Sequence, residues 1–291
     1  MTYTDRYVVR LEMAAFAVVM LFFWMQLACG QSANVTAGDP NLAHPNLVVT
    51  VAAPDHTISG LVTHHGDAKV FKHGIALFPG YPGVMRLSEE NGRPSFQLGG
   101  NFLVRSRRHW LDEETLVVVV DAPSDQWPTF MQWFRETPRY GADVAQLLNE
   151  VSRRFGVEAW TLVGTSEGSI SAFHAARMNP GLVRRLILTS SLFQSSRNGL
   201  GLSGVSWDSL PAPLLWVHHE SDPCRFTSYR EAKRFAELSR SPLLTVRGGA
   251  PGRGEPCEAY SAHGFVGVES ETVAAMRSWV KTGVTPPDVF R

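Results

Sequence analysis

The run Leu116-Val117-Val118-Val119-Val120 restricts the fold more than any other feature of the chain. β-Branched side chains favour strand over helix. A strand with one wet face alternates apolar and polar residues, so a run without alternation is buried on both faces. Strands of that kind belong to parallel sheets covered by helices on each side. Strand candidates are Leu47–Ala53, Ile58–His64, Gly74–Phe78, Thr115–Val120, Ala159–Val163, Leu186–Thr189, Leu214–His218 and Leu243–Val246. Helix candidates are Phe102–Trp110, Arg139–Phe155, Gly168–Met178, Ser228–Leu238 and Glu269–Val280. In the second of these, Val144, Leu147, Leu148 and Val151 share one face. The alternation predicts right-handed crossovers in one doubly wound, mostly parallel, eight-stranded sheet. The first strands have no helix between them, so the leading edge is expected to be antiparallel. One domain over residues 47–285 follows, after a polar, Gly- and Pro-containing linker at 31–46.

The N-terminus differs in kind. Arg6 and Arg10 precede an apolar run from Ala14 to Leu27, then small and polar residues. That order marks an export signal, here residues 1–30. As a helix the run rises only about 21 Å, against a hydrocarbon core of roughly 30 Å. An uncleaved anchor and a buried N-terminal helix are the competing readings. Cleavage fits at Ala28-Cys29-Gly30 or at Val35-Thr36-Ala37. Leu27-Ala28-Cys29-Gly30 also matches part of a lipobox, although Gln26 stands where such boxes prefer Leu. The expectation is a periplasmic or secreted protein, with a lipid anchor at Cys29 as the variant.

With 27 basic and 27 acidic residues the formal charge is zero. No electrostatic argument then favours nucleic acid or an anionic membrane surface as a partner. Beyond the leader two cysteines remain, Cys224 and Cys257, and an oxidising compartment makes them a candidate disulfide. Closing that loop of about 33 residues would contribute roughly 3–4 kcal/mol on the chain-entropy model. Two unpaired buried thiols are the alternative.

The chemistry centres on Gly164-Thr165-Ser166-Glu167-Gly168. A short buried-strand pattern runs into Gly164, and Ser169–Ala176 reads as helix. A serine on so tight a strand-to-helix turn is lifted out of the sheet at its ligand-binding end, where the helix N-terminus favours a developing oxyanion. Its hydroxyl needs a base to take the proton. His263, after the last strand and before the final helix, suits that role better than His218 or His219, which end a strand. The base in turn needs an acceptor that fixes its tautomer. Asp222 follows the strand Leu214–His218 on the same sheet edge as Ser166; Glu220 and Asp121 are the alternatives. A bond between Cys224 and Cys257 would tie the acid loop to the base loop.

In chain order Ser166, Asp222, His263, the sequence resembles the α/β-hydrolase superfamily over nearly all of its expected mature length. More narrowly, Phe78-Pro79-Gly80, the stretch Gly100-Asn101-Phe102-Leu103-Val104-Arg105-Ser106-Arg107 and a Cys beside the acid are similar to exported bacterial hydrolases of unspecified substrate. The resemblance implies an α/β-hydrolase fold and an oxyanion hole built from the amide after the nucleophile and one after the third strand. Those are Glu167 and Tyr81, with Gly80 the alternative because Pro79 replaces the usual His before it. Only about twenty residues, Ser190–Leu210, stand where a cap would be inserted, too few for a large lid. Phe193, Trp207, Trp127, Phe130 and Trp133 are candidates either for pocket lining or for core. The expected activity is cofactor-free hydrolysis of a small-molecule carboxylic ester through an acyl-enzyme. A peptidase or amidase is the runner-up, and a non-catalytic binding protein on the same scaffold is a third reading. Paired histidines (His64-His65, His218-His219) point to opposite faces of their strands, so neither pair shares a metal.

Overall fold

Eight strands form one sheet among the residues that the computed structural model describes, which are 40–66, 70–196, 198–207, 210 and 212–291. The expected leader over 1–30, including Cys29, lies outside the described residues. In chain order the strands are β1 (Asn46–Ala52), β2 (Thr57–Thr63), β3 (His73–Phe78), a small separate hairpin of β4 (Ser88–Glu90) and β5 (Arg93–Ser95), then β6 (Thr115–Val120), β7 (Trp160–Thr165), β8 (Val183–Thr189), β9 (Leu214–His219) and β10 (Leu243–Val246). The sheet runs β1-β2-β6-β3-β7-β8-β9-β10. β1–β2 and β2–β6 pair antiparallel, and every other neighbouring pair is parallel.

The valine run is β6, and its side chains explain its composition. Leu116, Val118 and Val120 enter one core; Val117 and Val119 enter the other. Successive residues of a strand face opposite ways, so two cores demand apolar residues throughout. Three helices supply the first core: α1 (Pro138–Phe155), α2 (Gly168–Met178) and α3 (Tyr229–Leu238). α4 (Glu269–Thr282) packs on the second, with the short turns at Phe102–Arg105 and Arg107–Trp110. α1 buries the expected Val144, Leu147, Leu148 and Val151. It starts at the Thr137 cap followed by Pro138, and ends at Gly156 with φ 63°, as helix-end chemistry requires. No helix among the described residues is long and apolar enough to cross a membrane.

Three differences from the sequence expectation have local causes. The candidate helix Phe102–Trp110 breaks at Ser106, whose hydroxyl donates to the Phe102 carbonyl at 2.6 Å and competes with helix continuation. Ordered contacts begin before residue 47: Asn41 is buried, its Nδ2 bonding Arg105 O at 3.0 Å. They also pass residue 285. β10 is an edge strand, and Val289 covers it by accepting from Arg247 N and donating to Thr245 O, both at 2.9 Å. The segment between β8 and β9 carries one 3-10 turn among its described residues, Gly201–Gly204.

Because β3 and β6–β10 are parallel, their C-terminal ends open onto one edge. Gly80, Asp121, Ser166, Ser190 and Asp222 all follow strand ends there, which is where open parallel sheets bind ligands.

Candidate active site

Ser166 stands between β7 and α2 with φ 52°, a left-handed conformation rare for a residue with a side chain. Such a conformation costs of order 1–3 kcal/mol and persists where the surroundings enforce it. Here the Ser166 amide donates to both Thr189 O and Ser190 O at 3.1 Å. Ser169 Oγ binds the Ser166 carbonyl at 2.6 Å and accepts from Leu192 N at 3.2 Å. Both flanking glycines sit where a side chain has no room. A Cβ on Gly164 would fall 2.4 Å from Gly168 O, and one on Gly168 would fall 2.1 Å from Phe78 O and 2.6 Å from Pro79 O. The elbow, the start of α2 and the loop after β3 are therefore in direct backbone contact.

That loop continues into the expected oxyanion residues. The N–H groups of Gly80, Tyr81 and Glu167 find no acceptor among the described residues. Glu167 lies just before the first turn of α2, so its amide is one of the unpaired donors of a helix start. Its carboxylate is turned into the protein, where Oε2 lies 3.4 Å from Arg135 Nη2 and Oε1 accepts from Asn198 Nδ2 at 3.3 Å. The buried Arg135 also donates to Ser171 Oγ at 2.7 Å and to Pro82 O at 3.1 Å. One guanidinium thus holds the Tyr81–Pro82 segment beside α2 and keeps a negative charge paired next to the hole.

Asp222 and His263, the expected acid and base, lie side by side. His263 Nδ1 lies 3.1 Å from Asp222 Oδ2. Asp222 Oδ2 also accepts from Thr227 Oγ1 at 2.9 Å, and its Oδ1 accepts from Cys224 N at 2.9 Å. Burial opposes the charge on Asp222, but the neighbouring His263 and His218 over-compensate and hold its pKa well below the ordinary carboxylate range. His263 is fixed from behind: its amide donates to Ser261 Oγ at 3.1 Å and its carbonyl accepts from Ser190 Oγ at 2.7 Å. Ser190 thereby links the two halves of the site, since its own carbonyl holds the Ser166 amide. Ser166 Oγ has no hydrogen-bond partner among the described residues.

The alternatives weighed from the sequence have partners of their own. Glu220 is exposed and paired with Arg247 at 2.7 Å. Asp121 is buried, accepting from Met85 N at 2.6 Å and from Leu87 N and Ala122 N at 2.8 Å. Burial pushes its pKa up to about 6 against the pull of those amides; it shapes the segment that follows the oxyanion loop. His218 Nε2 contacts Asp222 Oδ2 at 3.3 Å and bonds the Thr227 carbonyl, and His219 Nε2 bonds Gly248 O at 2.9 Å. The aromatic candidates are mostly core. Phe193 stacks on Phe235 at 4.8 Å, Trp207 packs against Phe173 at 5.0 Å, and Phe130 meets Tyr140 at 5.5 Å beneath the sheet. Trp127 is half-buried and bonds Ala122 O, while Trp133 is 62% exposed. Thr227, Ser190 and Arg135 carried no sequence signal, because each acts through a long-range contact that no local motif encodes.

Cys224 and Cys257 form a disulfide. It joins the acid loop, two residues past Asp222, to the base loop, six before His263. Reducing it, or making Cys257→Ala, is expected to lower the thermal midpoint by about 5–15 °C, the equivalent of roughly 3–4 kcal/mol. Turnover should fall with it as the imidazole loses its fixed position. An unchanged melting curve together with unchanged turnover would remove the bond from this account.

Neither a protein-family model nor a curated protein matches the sequence. Solved structures do. Est1E from Butyrivibrio proteoclasticus superposes with a TM-score of 0.57 at 12% identity, over 80% of this chain and 97% of that one. A cold-adapted esterase from an Arctic intertidal metagenomic library gives 0.54 at 12% identity, over 85% of this chain and 96% of that one. At such identities the likeness is one of fold.

Proposed function

We propose that this chain, which has the α/β-hydrolase fold, is a serine hydrolase that cleaves carboxylic esters through an acyl-enzyme on Ser166. The observation that carries the reading is the buried pairing of His263 Nδ1 with Asp222 Oδ2 at 3.1 Å, tied through Ser190 to the strained elbow of Ser166. The two esterases of like fold add weight to esters as the substrate class.

In this mechanism Asp222 keeps the proton of His263 on Nδ1, leaving Nε2 free as an acceptor. Ser166 Oγ attacks the acyl carbon while its proton passes to Nε2. The carbonyl π pair moves onto oxygen, and the amides of Glu167 and Tyr81 receive the charge. Collapse breaks the ester C–O bond, and His263 gives its proton to the departing alcohol. Water, activated by the same imidazole, then releases the acid. A p-nitrophenyl acetate assay tests this: the reading expects a burst of one nitrophenol per enzyme, absent in Ser166→Ala, and faster turnover of esters than of matching anilides. Preference for anilides would favour an amidase instead.

The chain is further proposed to be exported, to the periplasm or beyond, with residues 1–30 as its leader. Support comes from the order of charged, apolar and small residues, and from a disulfide suited to an oxidising compartment. Intact mass of the mature protein distinguishes lipidated Cys29 from cleavage after Gly30 or Ala37.

A further inference from the structure

Gly100-Asn101-Phe102 begins a stretch to which the triad gives no task, yet its second residue is built into the site. Asn101 is only 6% exposed. Its Oδ1 accepts the Leu103 N–H at 3.0 Å and caps the turn Phe102–Arg105. That bond fixes which end of the amide is oxygen and which nitrogen. The Nδ2 end finds no acceptor among the described residues, and it is not one of the fully buried unpartnered atoms, so it stays open to solvent. It faces Gly80: a Cβ there would lie 3.0 Å from Ser166 Cβ and 3.7 Å from Asn101 Nδ2. The nucleophile and the amide thus flank one point on the oxyanion loop.

The backbone around Asn101 is held to the rest of the site. Its N–H donates to Leu98 O at 2.8 Å. Arg105 Nη1 donates to Gly100 O at 2.8 Å, while Nη2 reaches Gly264 O at 2.6 Å, next to His263. One guanidinium therefore sets the Asn101 peptide against the loop of the base.

We propose that Asn101 Nδ2 is a further hydrogen-bond donor to the oxyanion, beside the amides of Glu167 and Tyr81. The inference rests on the serine-hydrolase reading. As the Ser166 Oγ–carbon bond forms and the π pair moves to the carbonyl oxygen, Nδ2–H supplies a hydrogen bond and transfers no proton. The acceptor that Nδ2 lacks within the resting protein is the charge that appears during the reaction.

Two variants separate this role from capping. Asn101→Ser and Asn101→Asp both keep an oxygen for the Leu103 N–H, so the thermal midpoint should stay within about 3 °C of wild type. The donor role expects kcat on a p-nitrophenyl ester to fall about 100-fold in Asn101→Ser and further in Asn101→Asp, with KM within about 3-fold. Affinity for an arylboronic acid, which forms a tetrahedral anion on the serine, should drop in parallel. Wild-type kcat and boronate affinity in both variants would overturn the inference while leaving the hydrolase reading intact. Absence of Ser166-dependent turnover in the wild type would sink that reading, and this inference with it.

Discussion

Asp222→Asn is expected to lower kcat about 10⁴-fold while the protein stays folded, because it forces the wrong tautomer on the base. The Oδ1 site accepts from Cys224 N, so the asparagine oxygen is drawn there. Its NH₂ then occupies the Oδ2 position, facing His263 Nδ1 and the Thr227 hydroxyl. A donor in that place makes Nδ1 the acceptor and moves the ring proton to Nε2, which then cannot accept from Ser166. Turnover on a p-nitrophenyl ester measures the loss, and a decrease below 10-fold would separate Asp222 from the base's tautomer. Stability carries a second signature. The folded carboxyl is held below its ordinary value of 3.8, so its contribution is fully present above about pH 4 and is lost as pH falls further. The midpoint deficit of Asp222→Asn should therefore shrink in acid, not grow.

Gly168→Ala is the second large effect, and it acts by geometry alone. The new Cβ would sit 2.1 Å from Phe78 O and 2.6 Å from Pro79 O, all backbone, so no side chain can swing away. Either α2 or the loop after β3 must move by about 1 Å, and a displacement of that size at reacting groups costs on the order of 100-fold in rate. Overpacking adds about 1–3 kcal/mol of destabilisation. Both are expected in Gly168→Ala: slower modification of Ser166 and a lower melting temperature. Wild-type rates would mean that the elbow and the oxyanion loop are not coupled through this contact.

These effects depend on contacts whose legibility in the sequence was uneven. Strands β6 and β10 and helix α2 have the bounds read from the sequence, since continuous apolar runs and clear end signals leave little freedom. The placement of Ser166, Asp222 and His263 was legible because each follows a strand end or precedes a helix, positions that the alternation itself locates. Glu167 was legible as an amide, but its side chain was not: nothing local shows that Arg135, on a turn 32 residues upstream, pairs with it. Thr227 and Ser190 are hidden for the same reason, being ordinary hydroxyl residues until the fold brings them to Asp222 and to the His263 carbonyl. Phe193 and Phe130 show the converse. Their hydrophobicity suited pocket or core equally, and packing against α3 and α1 decided for core.

Covalent labelling tests the central claim most directly. Purified protein treated with a fluorophosphonate should gain one adduct by intact mass, peptide mapping should place it on Ser166, and Ser166→Ala should take up none. Wild-type protein that stays unmodified, or an adduct that persists in Ser166→Ala, would contradict the assignment of Ser166 as the nucleophile.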